Sequence, residues 1–285
     1  MKTLIIFMLL SGFASKGFCQ FDSLMNNYNK GTKDYGTMPV LVSLAEKLKK
    51  DSIANVVASD YINHYLAAQP DDLFFRRGNL DLLARYLVGA ESEAFSRILH
   101  KQALADKVSR PGFASDYIDV VIEKEYINPI DSHPEWSVLK KKISHRFGRR
   151  LADRTVLNVQ ISWYEAKKDT DLLVQLYAQK YEQFGLDTDR SIGRVGMNNI
   201  IYYFFFLHSQ DHRLLAKAAG WESLLIQHEK EPGFIDTYAN LLYKTGKRKE
   251  ALYAEEEACR LAPGDADIRL NYQKMLAGKP TWNTN

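Results

Sequence analysis

Apolar residues recur at helical spacing through most of this chain. Leu41, Leu44, Ala45 and Leu48 follow the i, i+3, i+4, i+7 pattern of one helix face, and a second such face begins at Ile53. Further faces follow to about residue 277, among them Leu80/Leu83/Leu87, Phe95/Ile98/Leu99, Trp136/Leu139/Ile143/Phe147 and Leu172/Leu176/Tyr177. Helices that are polar on one side need a neighbour to cover the other side. The pattern therefore predicts an all-α protein built as a helical-hairpin repeat solenoid.

The breaks between these faces predict where the chain divides. The strongest break runs from Asn128 to Pro134 and contains two prolines. We expect it to separate two helical regions, 20–128 and 134–285. Only 8 Pro and 16 Gly occur among 285 residues, and no apolar–polar alternation is bounded by Asn-Gly or Asp-Gly turns. This composition favours helices over strands.

Two stretches of the second region are harder to interpret. Residues 185–198 contain several glycines and charged side chains, so we expect a long loop there. Residues 200–207 read Ile-Ile-Tyr-Tyr-Phe-Phe-Phe-Leu and have the composition of a buried strand. Because another helical pattern follows within a few residues, we interpret them as a buried helix.

Residues 234–263 match the tetratricopeptide pattern of two packed helices. Gly246 falls in the turn between the helices, Ala251 and Ala258 follow at the small positions, and Pro263 ends the second helix. Small residues at these positions, and at Ala239 on the first helix, let the two helices cross closely. Residues 265–277 then predict a capping helix that stops at Gly278 and Pro280.

A weaker copy of this pair is expected just before it. Asp211, Ala216 and Ser223 lie 35 residues before Gly246, Ala251 and Ala258, close to the roughly 34-residue repeat period. This spacing predicts that Ala216 and Ser223 lie on the packed face of a preceding helix.

The N-terminus has the layout of a secretory signal peptide. Lys2 precedes a short apolar run, residues 4–10, and Gly17 and Cys19 occupy the small positions before a cleavage at Gln20. We therefore expect residues 1–19 to be removed and the protein to be periplasmic or secreted. A lipoprotein acylated at Cys19 is the less favoured alternative, because Phe18 is large where the lipidating peptidase requires a small residue. No later stretch is long and apolar enough to suggest a membrane span.

Removal of residues 1–19 leaves a nearly neutral chain with one thiol. Lys2 and Lys16 are lost with the leader, so 36 basic residues face 35 acidic ones. This balance gives no reason to expect a nucleic-acid partner. Cys259 is the remaining cysteine, so stability must come from apolar burial and not from an internal disulfide.

The C-terminal residues carry a family resemblance. Residues 236–251 (Asp-Thr-Tyr-Ala-Asn-Leu-Leu-Tyr-Lys-Thr-Gly-Lys-Arg-Lys-Glu-Ala) and the end of the chain around Lys274–Trp282 resemble the helical C-terminal region of secreted bacterial thioredoxin-family proteins. Val57–Phe95 is similar to the same region. The resemblance implies a tetratricopeptide-like helical region without the thioredoxin domain. Because the chain has no Cys-x-x-Cys pair, no redox residue carries over to any position here.

Other groups of reactive side chains have ordinary explanations. His208 and His212 have the spacing of zinc-binding histidines on a helix, but the residues between them read as a turn. The runs 140–142 (Lys) and 255–257 (Glu) are interpreted as solvated helix faces, and Cys259 as a small buried residue. We expect no catalytic residues, no cofactor and no metal.

Two classes of function remain open. The favoured one is a non-catalytic interaction or scaffold module whose stacked helix pairs hold a protein or peptide partner in a groove. Asn240 and Tyr243, on the first helix of the 234–263 pair, are the candidate groove contacts. The alternative is an accessory protein or enzyme of thiol–disulfide or hydrolytic chemistry, with a site that is not recognisable from the sequence.

Overall fold

The computed structural model describes residues 18–127 and 134–283, and these residues form an all-α protein. Helices account for most of them, and no strand occurs within these two ranges. In the same ranges, no helix is both long enough and apolar enough to cross a bilayer. The all-α class predicted from the sequence is therefore confirmed. Residues 1–17 of the expected leader and residues 128–133 of the expected break lie outside the described residues.

The chain forms two compact units, one up to Pro134 and one from Glu135 onwards. In its described part the first unit contains eight α-helices, a short 3-10 helix and a π-helical segment. They are α1 (18–29), α2 (Met38–Lys47), α3 (Asp51–His64), the 3-10 helix Leu66–Ala68, α4 (Asp71–Phe74), α5 (Arg77–Arg85), α6 (Glu93–His100), α7 (Gln102–Val108), α8 (Phe113–Ile122) and the π-helical segment Glu123–Ile127.

The N-terminal helix is packed onto the first unit. Phe21 of α1 is buried, and the Lys50 ammonium lies 4.6 Å from the centre of its ring. The loop after α1 is tied to α3, because Lys33 Nζ lies 2.7 Å from a carboxylate oxygen of Asp60. Within α3, His64 Nδ1 lies 2.7 Å from the other oxygen of Asp60. These contacts belong to residues that follow the predicted cleavage at Gln20, so the expected mature chain retains them.

The second unit is a succession of longer helices. They are α9 (Trp136–Phe147), α10 (Arg149–Lys167), α11 (Thr170–Phe184), α12 (Ser191–Ile200), the π-helical segment Ile201–Phe206, α13 (His212–His228), α14 (Pro232–Lys244), α15 (Arg248–Leu261) and α16 (Ala266–Leu276). Their shared core is centred on Phe205, Phe206, Leu215, Leu225 and Leu241, all at most 1% exposed.

Helices α14 and α15 form a tight antiparallel pair in the region 234–263. Gly246 turns the chain with φ of +86°, a conformation that costs glycine little. Ala239, Ala251 and Ala258 are each fully buried, so the three small residues lie inside the pair and allow its close packing. Helix α16 follows, and Asp265 caps it by accepting hydrogen bonds from the backbone N–H groups of residues 267 and 268.

The preceding pair is shifted by one residue from the expected spacing. It consists of α12 with the π-helical segment, followed by α13. Ala216 is exposed, whereas Leu215 is buried and is the counterpart of Ala251. The expectation for Ala216 is therefore wrong. A shift of one residue rotates a side chain by about 100° around the helix axis. The packed face of α13 therefore contains Leu215, one position before the residue that a 35-residue repeat predicts.

The expected long loop at 185–198 is also wrong in part. Helix α12 begins at Ser191, which leaves a short connection after α11. Its two glycines made the helical pattern hard to recognise in the sequence, but packing explains why residue 193 is a glycine. A Cβ atom at this position would lie 2.6 Å from the Asp187 side chain. The loop before α12 can therefore approach the helix this closely only if residue 193 is glycine. Residues 200–207 are helical, as expected, and continue α12 into the π-helical segment.

Candidate binding groove

An apolar groove lies between helices α13, α14 and α15 of the second unit. Its volume is about 440 Å³, which is in the range of pockets that hold ligand or peptide side chains. Helix α14 forms its floor and the other two helices its walls. The lining residues are Ser223, Ile226, Ile235, Tyr238, Leu242, Lys249, Glu250, Tyr253, Ala254 and Glu257. We call this surface the apolar groove.

The floor of the apolar groove follows directly from helical spacing. Ile235, Tyr238 and Leu242 are three and four residues apart, so their side chains lie in a row along one face of α14. Across from them α15 presents Ala254, whose short side chain fills little of the space between the two helices. A row of large apolar residues facing a small one leaves a depression between the helices.

The rim of the apolar groove combines an aromatic ring with charges of both signs. Tyr253 is 75% exposed and places its ring at the edge of the apolar groove. Lys249 and Glu250 lie one turn before it on α15 and are exposed as well. At the other end, Lys230 Nζ lies 3.3 Å from Glu257 Oε1, and this ion pair borders the groove. The site thus has an apolar centre and a polar edge, the usual anatomy of a protein interface.

The two residues predicted as groove contacts lie on other faces of α14 and do not line the apolar groove. Asn240 is fully buried, and its amide donates to the backbone oxygen of Asp236 at 2.9 Å and to its Oδ1 atom at 3.0 Å. Tyr243 is partly buried, packs edge-on against Trp282 and points its hydroxyl at the Met275 carbonyl, 3.4 Å away. Neither residue lines the apolar groove, and a partner contact through either one stays a prediction.

The reason is again the period of the helix. Tyr238 and Asn240 are two positions apart, which places them about 200° apart around the axis of α14. The 238 face lines the groove, while the 240 face is covered by α15 and α16. The sequence pattern does not indicate which of the two apolar faces of α14 lines the apolar groove. Tyr253 was not recognised, although an exposed aromatic residue at the edge of a helix pair could have indicated the site.

A second, polar cleft lies on the other side of α14 and contains many carboxylates. Its volume is about 670 Å³. The polar side chains that line it are Tyr202, Glu231, Asp236, Asp265, Asp267, Asn271, Lys274 and Thr281. Asp236 is the deepest of the acids, and the Asn271 amide donates to its Oδ1 atom at 2.9 Å. Helices α14 and α16 are joined by this bond.

Glu255 lies behind Asp236 and is buried, which corrects the expectation that residues 255–257 form a solvated face. It is 0% exposed, and neither of its carboxyl oxygens has a hydrogen-bond partner among the residues that the structure describes. Burial, and then the Asp236 charge, raise the pKa of Glu255 to about 10. Glu255 therefore keeps its proton at neutral pH. The signal was present in the spacing, because residue 255 lies four after Ala251 and three before Ala258, on their packed face.

A further carboxyl group is buried in the preceding pair. Glu222 of α13 is 0% exposed, and neither of its carboxyl oxygens has a hydrogen-bond partner within the described part of the chain. Burial alone raises the pKa of Glu222 to about 9. The Tyr181 hydroxyl nearby is buried and equally without a partner there. Glu222 occupies the place in α13 that Ala258 occupies in α15, so it is a local departure from the small-residue pattern.

The remaining candidate residues are not brought together into a site. His208 lies in the turn before α13 and His212 is the first residue of that helix, and both are exposed. Cys259 is partly buried, and burial raises the pKa of its thiol. Among the described residues, no group of three or more His, Cys, Asp or Glu side chains is arranged to hold a metal ion. No protein-family model matches the chain, and no curated protein matches it either.

Proposed function

We propose that this chain is an exported, non-catalytic helical-repeat protein that binds a protein or peptide partner through the apolar groove. The observation that carries the proposal is the groove itself, an apolar depression bordered by the exposed Tyr253 ring. Tyrosine is among the residues most often found to dominate binding energy at interfaces, because a large rigid ring is buried with little loss of side-chain entropy. The partner segment presents apolar side chains to Tyr253 and to the partly buried Tyr238, because Ile235 and Leu242 are only 2% and 4% exposed.

The geometry favours an amphipathic helical segment as the occupant. The groove runs between two helices that flank α14, and an apolar helix face carries side chains at the same three- and four-residue spacing as the groove floor. Lys249 and Glu250 at the rim are exposed and can pair with charges on the polar side of that segment. Stacking of the two C-terminal helix pairs as tetratricopeptide-like repeats, similar to the helical region of secreted thioredoxin-family proteins, belongs to the same proposal.

Photocrosslinking tests the site of binding. Tyr253 is replaced with p-benzoylphenylalanine in the full chain, and Tyr203, which is 57% exposed but outside the groove, is replaced in a matched control. We expect a specific adduct from position 253 in cells that make the protein, and much less from position 203. Peptide mapping of the adduct then identifies the bound segment. Equal adducts from both positions, or none from position 253, would contradict the assignment of the groove.

A further inference from the structure

The connection between α9 and α10 is the most strongly basic surface segment of the chain. Residues 140–154 contain seven Lys or Arg and one Asp, whereas acids outnumber bases in the rest of the sequence. Helix α9 ends at Phe147 and α10 begins at Arg149, so a single residue, Gly148, joins them. The positive charges of two helix ends are thereby brought together. We call residues 141–150 the basic tip.

The basic tip is exposed and has an ordered face. Lys141, Lys142 and His145 lie three, four and seven residues after Val138, so the four share one side of α9. The three basic side chains are exposed, and Val138 itself is 62% exposed. Arg149 is 86% exposed on its side chain, and Arg150 is exposed beside it. Lys140 lies two residues after Val138 and so outside this face. Its ammonium is 2.5 Å from Asp153.

The placement of Arg149 and Arg150 opposes helix stability. They are the first two residues of α10, whose first turn contains no acid. The N-terminal end of a helix carries a partial positive charge, so cations there are unfavourable and acids are preferred. Arg149 has one long ion pair, 3.7 Å from its Nε to Asp153 Oδ2, and Asp153 is shared with Lys140, so this contact offsets little of the cost. A local rule that is broken with so little internal compensation is expected where a residue serves a function. The charge at the basic tip is therefore better explained by an external anion than by folding.

We propose that the basic tip docks onto a bilayer surface rich in anionic lipid headgroups. Clustered cations within about two helical turns match a dense layer of phosphates, and each Lys or Arg near such a surface adds roughly 1 kcal/mol, or about fivefold in affinity. Val138 lies in line with the cations and offers an apolar side chain to the headgroup region. A nucleic acid would gain nothing from that valine. This surface is separate from the apolar groove, and the proposal does not depend on a groove partner.

Vesicle flotation with the full mature chain tests the proposal. Vesicles of phosphatidylcholine are compared with vesicles that contain about 30 mol% phosphatidylglycerol. We expect binding to the anionic vesicles only, and we expect it to weaken as salt rises from about 0.05 to 0.5 M, because salt screens exposed charges. The triple variant Lys141→Gln/Arg149→Gln/Arg150→Gln should bind about a hundredfold more weakly.

A charge-matched variant separates local from overall charge. Lys107, Lys247 and Lys279 are exposed lysines elsewhere, and their replacement by Gln removes the same net charge. This control should retain binding within about threefold. The tip variant should unfold at the same or a higher denaturant concentration than the wild type, because it removes cations from a helix N-terminus, so weaker binding will not reflect misfolding. Equal binding by both variants, equal binding to neutral vesicles, or tighter tip-dependent binding to a duplex oligonucleotide would overturn the proposal.

Discussion

Replacement of Glu222 with glutamine should make the stability of the second unit less dependent on pH. The carboxyl group is fully buried without a hydrogen-bond partner in the described part of the chain, and burial raises its pKa from 4.5 to about 9. Between these two pH values the folded protein keeps the proton that the unfolded chain releases. A raised folded-state pKa means that this contribution to stability is complete below pH 4.5 and is lost as pH rises towards 9.

The magnitude follows from linkage. One proton held only by the folded state costs roughly 1.4 kcal/mol of unfolding free energy for each pH unit. At pH 7, Glu222 therefore contributes on the order of 3 kcal/mol less to the unfolding free energy of the wild type than it does at low pH. Glutamine has a similar shape and cannot ionise. We expect the stability difference between Glu222→Gln and wild type to grow in favour of the variant by about 4 kcal/mol between pH 5 and pH 8.

Urea unfolding followed by tryptophan fluorescence measures this difference. All four tryptophans, at positions 136, 163, 221 and 282, lie in the second unit, so their emission reports on that unit within the full chain. Glu256→Gln is the matched control, because Glu256 is exposed on α15 and its replacement should leave the pH profile unchanged. The pH dependence of the unfolding free energy that remains in Glu222→Gln comes in part from Glu255, whose pKa is also raised. Parallel pH profiles for wild type and Glu222→Gln would refute the reasoning.

Two further predictions concern the helix pair and the N-terminus. Ala251→Leu should lower the unfolding free energy by about 1–3 kcal/mol, because Ala251 is fully buried where α14 and α15 pack, whereas Glu256→Ala should change it by less than about 0.5 kcal/mol. Equal urea midpoints would show that the pair has a different register. N-terminal sequencing and mass spectrometry of the exported protein should find a chain that begins at Gln20 without lipid, and a retained leader or an acylated Cys19 would contradict this.

The C-terminal helix pair was the part of the fold most readily predicted from the sequence. Gly246 and the buried Ala251 have distinct physical requirements, a positive φ and a close helix crossing, and such requirements are visible in a single sequence. Helix α12 was missed because Gly193 lowers helix propensity, while its packing against Asp187 depends on the folded loop. Tertiary contacts that fix a glycine in a helix leave no local pattern to read.

The site was harder to predict than the fold. Glu255 and Glu222 are polar by type, and rules based on composition assign such residues to the surface. Their burial is visible only from their place on a face whose other members are small or apolar. The choice between the two faces of α14 depends on which neighbour covers which side. Helix α16 covers the face with Asn240, whereas the Tyr238 face lines the apolar groove.

The central claim, that the apolar groove binds a partner segment, is tested most directly by an affinity comparison. A labelled peptide with the sequence captured through position 253 is titrated by fluorescence anisotropy with wild type, Tyr253→Ala and Tyr203→Ala. Both tyrosines are exposed, so neither change should affect folding, which tryptophan fluorescence checks. We predict at least a tenfold higher Kd, about 1.4 kcal/mol, for Tyr253→Ala and a change within about twofold for Tyr203→Ala. Indistinguishable Kd values for all three proteins would contradict the claim.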